Sequence, residues 1–442
     1  MKEIDKAILE IEKQRGDINK QDANGNTLLM LAIANKQFAK AKYLIDLGAD
    51  LDKKNKLKYT ALTNAIINGY LSIAEYLIAK GAKLDIKTGN ENNTALIIAS
   101  TRDKSFTEIA LQLINRGAKL NIKNKEGNAP LSFAVRNNNF TLVEYLVEKG
   151  ADINTVNDQG TTALMVASYN NDIELVEYLV EKGAKLDIKN KYGHTALLGA
   201  VMNTQNEIAM YLINHGTKLD TQYNDGNTLL IYATNSENFE LVKYLVDKGA
   251  KLDIRNGDGY TALIVAINAE NAKMVDYLFK HGASISKEQL DKRMKDSIIN
   301  LYNNINRGAI LGYSNWKDDQ DIIIILLDHG ADINTISMTN LLLEYVKSTI
   351  SARFLPFIRS LINRGAIIPQ DLIITLKKNY PDKMRAIISE LIRKPIRRKR
   401  IERLAAVATE LYYRPNLEYN YFEGDLSGGA AKARDRYNRS RG

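Results

Sequence analysis

The sequence predicts an all-α solenoid, a stack of helix–turn–helix units in place of a domain built around one core. Three observations predict it. The pair Gly-Ala, followed two residues on by Leu or Ile, recurs at Gly48, Gly81, Gly117, Gly150, Gly183, Gly249 and Gly282, with Gly216-Thr217 in the one gap and a usual spacing of 33 residues. A threonine keeps the same phase at Thr27, Thr60, Thr94, Thr162, Thr195, Thr228 and Thr261, each ahead of an apolar stretch such as TALMVAS. The third is bulk composition. With 442 residues, 45% hydrophobic and 26% charged, the chain has ordinary globular content, and a repeat array absorbs such length by addition.

Each element follows from local chemistry. The threonine is a helix N-cap, its hydroxyl accepting from an orphan backbone N–H, and apolar residues three and four apart then line one face of a short helix. The second helix, for example IELVEYLVEKG, carries Ile173, Val176, Leu179 and Val180 on one face and stops at Gly183, a residue suited to the left-handed C-cap. The link AKLDIKNKYGHT that follows contains Asn190-Lys191-Tyr192-Gly193, a β-turn sequence. One step, Gly81 to Gly117, is 36 residues, and the three extra residues are assigned to Arg102–Ser105, between two helices. No such unit buries its apolar face alone, so stability must come from neighbours stacked side by side.

On these motifs the chain resembles the ankyrin-repeat family, whose first helix opens T-P-L-H-x-A. The motif alanine stands at Ala32, Ala65, Ala99, Ala134, Ala167, Ala200, Ala233 and Ala266. The family's proline survives only as Pro130, where Ala129 replaces the threonine, and its histidine gives way to Met30, Thr63, Ile97, Ser132, Met165, Leu198, Ile231 and Ile264. The resemblance implies an ankyrin-repeat solenoid with β-turn fingers: a capping helix in 1–20, eight repeats in 21–285, and two divergent repeats with an insertion in 286–368. Trp316 is expected in that insertion or in an enlarged turn ahead of the helix DIIIILLDHG. Residues 369–415 read as a helical C-terminal segment and 416–442 as a flexible basic tail.

Family resemblance also implies a non-catalytic scaffold or adaptor that grips another protein by turn tips and by the exposed face of the first helices. Mapped onto this chain, those positions are Tyr59, Arg136, Tyr169, Lys191, Tyr192, His194 and Tyr260, accompanied by Leu57, Ile67, Arg102, Met202 and Asp258. Aromatics and arginine are the usual interface anchors. Tyr169, Tyr192 and Tyr260 are expected to share one concave partner site.

Lys and Arg outnumber Asp and Glu by 61 to 52, but from Arg393 onward the count is 13 basic to 6 acidic, so the body is nearly neutral. The basic run Arg393, Lys394, Arg397, Arg398, Lys399, Arg400 and Arg403 admits three readings: a nuclear-import signal, a patch for nucleic-acid phosphate or anionic lipid, or a solvated helix end. The terminal Arg434, Arg436, Arg439 and Arg441 resemble the positively charged tails of substrates of bacterial type IV secretion, which implies an effector acting in host cytosol or nucleus. A nucleic-acid-associated protein working through the basic run is the first alternative function. An enzyme with a divergent site in 286–415 is the second.

Other classes are disfavoured. There is no cysteine, which excludes disulfides and thiol chemistry and favours a cytoplasmic, intracellular setting. No apolar run approaches the roughly 20 residues of a membrane span. No GxSxG, HExxH or Walker-type loop is present, and neither cofactor nor metal is expected. His215, His281 and His329 share one slot before a link glycine, so they read as helix ends. A tyrosine five residues before most link glycines, from Tyr43 to Tyr277, reads as packing between units.

Overall fold

In the computed structural model of the chain, the described residues are 2–13, 16–311, 316–335 and 351–366, with isolated positions as far as 379. Contacts divide the chain into two compact units, one of Met1–Asn304 with Tyr313–Asp332, the other of Ile305–Gly312 with Ile333–Gly442.

The first unit begins with α1 (Lys2–Glu12), followed by helix pairs at a steady pitch. They are α2 (Leu28–Ala34) with α3 (Phe38–Asp46), α4 (Ala61–Ile67) with α5 (Leu71–Ala79), α6 (Ala95–Ser100) with α7 (Thr107–Asn115), and α8 (Pro130–Arg136) with α9 (Phe140–Glu148). The series continues with α10 (Ala163–Tyr169) and α11 (Ile173–Glu181), α12 (Ala196–Met202) and α13 (Asn206–Asn214), α14 (Leu229–Asn235) and α15 (Phe239–Asp247), and α16 (Ala262–Asn268) and α17 (Ala272–Lys280). We number these pairs as units 1 to 8. First helices pack on first helices, as α10 does between α8 and α12, and second helices pack on second helices. No strand occurs among the described residues; the turns contribute isolated bridges, such as Gln21 with Thr27.

The caps explain why the helices are short. Each motif threonine accepts a hydrogen bond from the backbone N–H three residues on, at 3.2 Å from Met165 to Thr162 and 3.1 Å from Leu198 to Thr195. Ala129 has the same extended backbone (φ −95°, ψ 166°) as Thr162 (φ −94°, ψ 167°) but no side chain to cap with. Ala129→Thr therefore gains about 1 kcal/mol of stability and Thr162→Ala loses about 1 kcal/mol. Paired chemical-denaturation curves check both signs.

Second helices end in a left-handed glycine. At the first of them the Gly48 N–H donates to Ile45 O and the Ala49 N–H to Leu44 O, which satisfies two carbonyls that would otherwise be orphaned. Inside the stack, Leu44, Leu77, Leu113, Leu146, Leu179, Leu212, Leu245 and Leu278 are fully buried, one per second helix. The first helices bury Leu29, Leu62, Leu96, Leu131, Leu164, Leu197, Leu230 and Leu263 in the same way.

Adjacent units are stitched without the family histidine. Backbone N–H groups just after the link alanines donate to an Asp or Asn side chain of the preceding link: Lys83 to Asp52, Asp152 to Asn121 and Lys251 to Asp220, each at 2.9 Å. Asn19 does the same for Asp50 at 2.8 Å, so the segment after α1 already behaves as a link. At the turn tips, Asn55, Asn124, Asn157 and Asn256 each donate an amide N–H to an asparagine of the preceding turn. Tyrosines of the second helices add a third row, with Tyr76 Oη on Asp46 and Tyr244 Oη on Asn214 at 2.7 Å, and Lys80 and Lys248 over the rings at 5.3 and 5.4 Å. Bonding to the Asp46 carboxylate pushes the Tyr76 phenol above its ordinary range. This row is packing, as the sequence implies.

Two sequence expectations need correction. The three extra residues between Gly81 and Gly117 are divided: one lengthens the turn Thr88–Asn93, and two lie between α6 and α7, where Lys104–Phe106 forms a 3-10 turn capped by Asp103. The turn grows because Thr88 closes it by paired backbone bonds to Asn93, one residue further on than in the other turns. Trp316 opens the helix Trp316–Asp328 (α19), so it does not sit in an enlarged turn. The polar run Lys317-Asp318-Asp319-Gln320 is helical, with Asp318 and Asp319 in the first turn, where carboxylates complement the helix dipole.

Ahead of α19 stands α18 (Lys287–Leu311), far longer than any first helix of units 1–8. The α19 helix packs on α17, His329 stacks on Phe279 at 3.8 Å, and the Asp332 N–H donates to Asp291 at 2.8 Å. In the second compact unit, α20 (Ser351–Asn363) buries Phe357, Ile358, Leu361 and Ile362 and ends at Gly365 with the same glycine cap as the repeats.

Candidate partner-binding surface

The surface named by the sequence is built from two rows of residues. The first is the row of turn tips, tied together by backbone bonds from unit to unit: Lys56 N–H to Asn24 O at 2.9 Å, Lys125 to Glu91 at 2.8 Å, Asp158 to Glu126 at 3.0 Å and Lys191 to Gln159 at 2.9 Å. The second is the solvent side of the first helices.

Arg136, Tyr169 and Met202 each occupy the last position of a first helix, 33 residues apart, and so form one column across units 4 to 6. Tyr169 is 71% exposed and Met202 50%, while the exposed Arg136 lays its guanidinium 5.5 Å from the Phe133 ring centre. At the turn of unit 6, Tyr192 is 62% exposed. Its backbone is held on both sides, the N–H donating to Asn190 Oδ1 at 2.9 Å and the carbonyl accepting from Asn224 Nδ2 at 2.7 Å. His194, half-buried, has its ring 6.2 Å from that of Tyr192 and its N–H on Asn190 Oδ1. Leu57, at 67%, is the exposed apolar residue of the unit 2 turn.

Four mapped residues besides His194 are half-buried: Ile67 and Arg102, with the Arg102 guanidinium donating to Ile67 O at 2.8 Å, and Tyr59 and Tyr260. Tyr59 is half-buried against the next turn; a Cβ on Gly89 would sit 3.0 Å from its ring, so the glycine leaves the space the ring fills. Tyr260 is half-buried with the Arg293 guanidinium of α18 over its ring at 5.2 Å. Leu57, Lys191 and Asp258 stand open at the turns, and the column of Arg136, Tyr169 and Met202, with Tyr192 at the neighbouring turn, is the open part that carries large aromatic side chains.

Sequence reasoning missed a further column, the fifth position of the helix-opening motif: Phe133, Val166, Gly199 and Tyr232 in units 4 to 7, each half-buried. Its signal is the residue between the fourth motif position and the alanine, which packing leaves free to vary. Tyr232 Oη donates to Asp225 Oδ2 at 2.7 Å. Partial burial raises the Asp225 carboxyl, but bonds from Tyr232 and from the Asn227 N–H and amide outweigh it and hold the group below its ordinary range. Next to this column a cavity of about 160 Å³ opens where Tyr223 replaces the asparagine that starts most turns; Thr195, Lys189 and Lys218 are among its lining. Tyr223 Oη shares a hydrogen bond with Thr195 Oγ1 at 3.2 Å, and burial pushes its phenol up.

Among the described residues no three His, Asp or Glu side chains converge as a metal site, and no helix is long and apolar enough to cross a membrane. His215, His281 and His329 place Nδ1 2.7–2.8 Å from the carbonyl four residues back, at their helix ends. Arg393, Lys394, Arg397, Arg398, Lys399, Arg400 and Arg403 lie outside the described residues, as does the tail from 416.

The family model for ankyrin repeats (3 copies) matches residues 3–88, 85–157, 153–223 and 197–289. No curated protein matches the chain. With capped helix pairs, link glycines and turn fingers in register across most of the matched stretch, the chain belongs to the ankyrin-repeat family, whose repeats are generally non-catalytic protein–protein interaction modules.

Proposed function

We propose that this protein is a non-catalytic adaptor that binds a partner protein through its turn tips and first helices, with contact centred on Tyr169 and Tyr192. One observation carries the reading: two tyrosines, 71% and 62% exposed, stand where neither packs between units. Large amphipathic rings held on short, capped elements lose little freedom on binding and bring large contact areas. Their carriers are rigid. Tyr169 ends a helix whose flanking residues Ala167 and Ser168 are buried, and Tyr192 sits on a turn bonded at both faces. The basic C-terminal run supplies a separate targeting or phosphate contact in this reading.

The test is affinity for a partner recovered by crosslinking in the native cell. Alanine at Tyr169 and Tyr192 removes binding, whereas alanine at Tyr145 and Tyr178 on the second-helix row leaves it in place. Equal losses from both pairs would count against the assigned face.

A further inference from the structure

At two positions on the proposed surface the residue present opposes what the fold itself favours. The first is Gly199, in the interior of α12. Glycine weakens a helix interior relative to alanine, and it is normally tolerated where a side chain would collide. Here a Cβ would meet nothing within 4 Å, so packing gives no reason for it. Every other unit has a side chain at this position, from Leu31 through Phe133 and Val166 to Tyr232 and Val265. The glycine leaves a gap in an otherwise filled column, flanked by Val166 and Tyr232 along the column and by Met202 three residues on.

The second is Lys58. The turn residue before the half-buried or buried motif entry is a left-handed glycine in Gly25, Gly127, Gly160, Gly193, Gly226 and Gly259 and an asparagine, which tolerates this conformation, in Asn92 (φ 57°), yet unit 2 holds Lys58 at φ 64°. A lysine there is strained where glycine is not. What it adds is charge. The turn fingers of units 2 to 4 expose Lys54, Lys56, Lys58, Lys87, Lys123 and Lys125 against Glu91 and Glu126, while those of units 5 to 8 are balanced. The near-neutral body therefore hides a basic stretch on one row, continuous by backbone bonds with the turn that carries Tyr192.

Resting on the adaptor reading above, we propose that the occupant of this surface is a peptide segment of a partner protein in which an acidic run is set apart, by the span of about two stacked units, from one large apolar side chain. The apolar side chain seats in the gap at Gly199, and the acidic run lies along the lysine fingers of units 2 to 4. Nucleic acid fits less well, because a phosphate backbone has no use for a gap between Val166 and Tyr232, and Glu91, Glu126 and Asp158 interrupt the positive row.

The two positions give a test that separates binding from folding, since Lys58→Gly and Gly199→Leu each remove the local penalty. A displayed library of random peptides is selected against the full chain, and the enriched peptides are then titrated by fluorescence anisotropy. Acidic sequences with an aromatic or large aliphatic residue several positions away from the acids are expected. Each substitution is expected to raise Tm while weakening such peptides by about tenfold, in line with one lost contact. Enrichment of sequences without acids, no enrichment, or affinities unmoved by both substitutions overturns the proposal. So does a single-stranded oligonucleotide that binds more tightly than the peptides and is weakened by Lys58→Gly. If Tyr169→Ala and Tyr192→Ala weaken the peptides and the two substitutions do not, the adaptor reading stands and this occupant falls.

Discussion

Replacing Tyr169 and Tyr192 together by alanine is expected to lower partner affinity by roughly 100- to 1,000-fold with almost no change in stability. The magnitude comes from interface energetics: a buried aromatic anchor carries about 2 kcal/mol or more, and every 1.4 kcal/mol is tenfold in Kd. The absence of a stability effect comes from the unbound structure. Both rings are mostly exposed, and neither phenol enters the tyrosine row of the second helices, where Tyr76 and Tyr244 bond across units. Surface substitutions of this kind stay within about 0.5 kcal/mol. Isothermal titration of the double variant beside its urea-denaturation curve reads both halves of the expectation.

Leu179→Ala has the opposite signature. Leu179 is fully buried in α11, the second helix of unit 5, which packs on α10 of its own unit and on α13 of the next. Removing it costs roughly 2–5 kcal/mol through lost burial and a residual cavity. In a stack whose stability is the sum of unit and nearest-neighbour terms, that loss falls on one unit and both of its interfaces. The expected result is that denaturation broadens or divides, with units on either side of unit 5 melting separately. A lower midpoint with an unchanged single transition would mean that cooperativity extends further along the array than nearest neighbours. Affinity at Tyr169, which α10 of the same unit carries, should fall with it, and the double tyrosine variant distinguishes the two causes because it binds poorly while folding normally.

Much of the fold is legible in the sequence because a repeat states each rule many times. Threonine caps, link glycines and the buried leucines recur in register, so an exception such as Ala129 stands out against its equivalents. What resists reading is whatever violates a residue's usual preference. Only unit 2 ends its first helix in a left-handed glycine, Gly69; in six other units the position holds Lys36, Asn138, Asn171, Thr204, Glu237 and Glu270, so these ends carry no repeated glycine signal. The extra residues around unit 3 divide between two places because a paired turn at Thr88–Asn93 and a 3-10 turn at Lys104–Phe106 each close well locally. Polar composition around Trp316 suggests a turn, yet acidic residues in a first helical turn are favourable, and α19 forms there.

The surface is less legible than the core for a related reason. Position identifies which residues face outward, but not what else reaches them. Tyr260 holds the same turn position as Tyr59, and both are half-buried by different neighbours, one by Arg293 of α18 and the other against Gly89. Gly199 gives no signal to a reader looking for large side chains, and only the empty space around its backbone shows that packing does not require it.

Amide hydrogen exchange of the full chain with and without its partner tests the binding face most directly. Bound partner should slow exchange in the turn tips and first helices of units 4 to 6, including the Tyr192 turn and the end of α10, and leave α9, α11 and α13 unchanged. Protection confined to those second helices, or to residues beyond 285, would contradict the account.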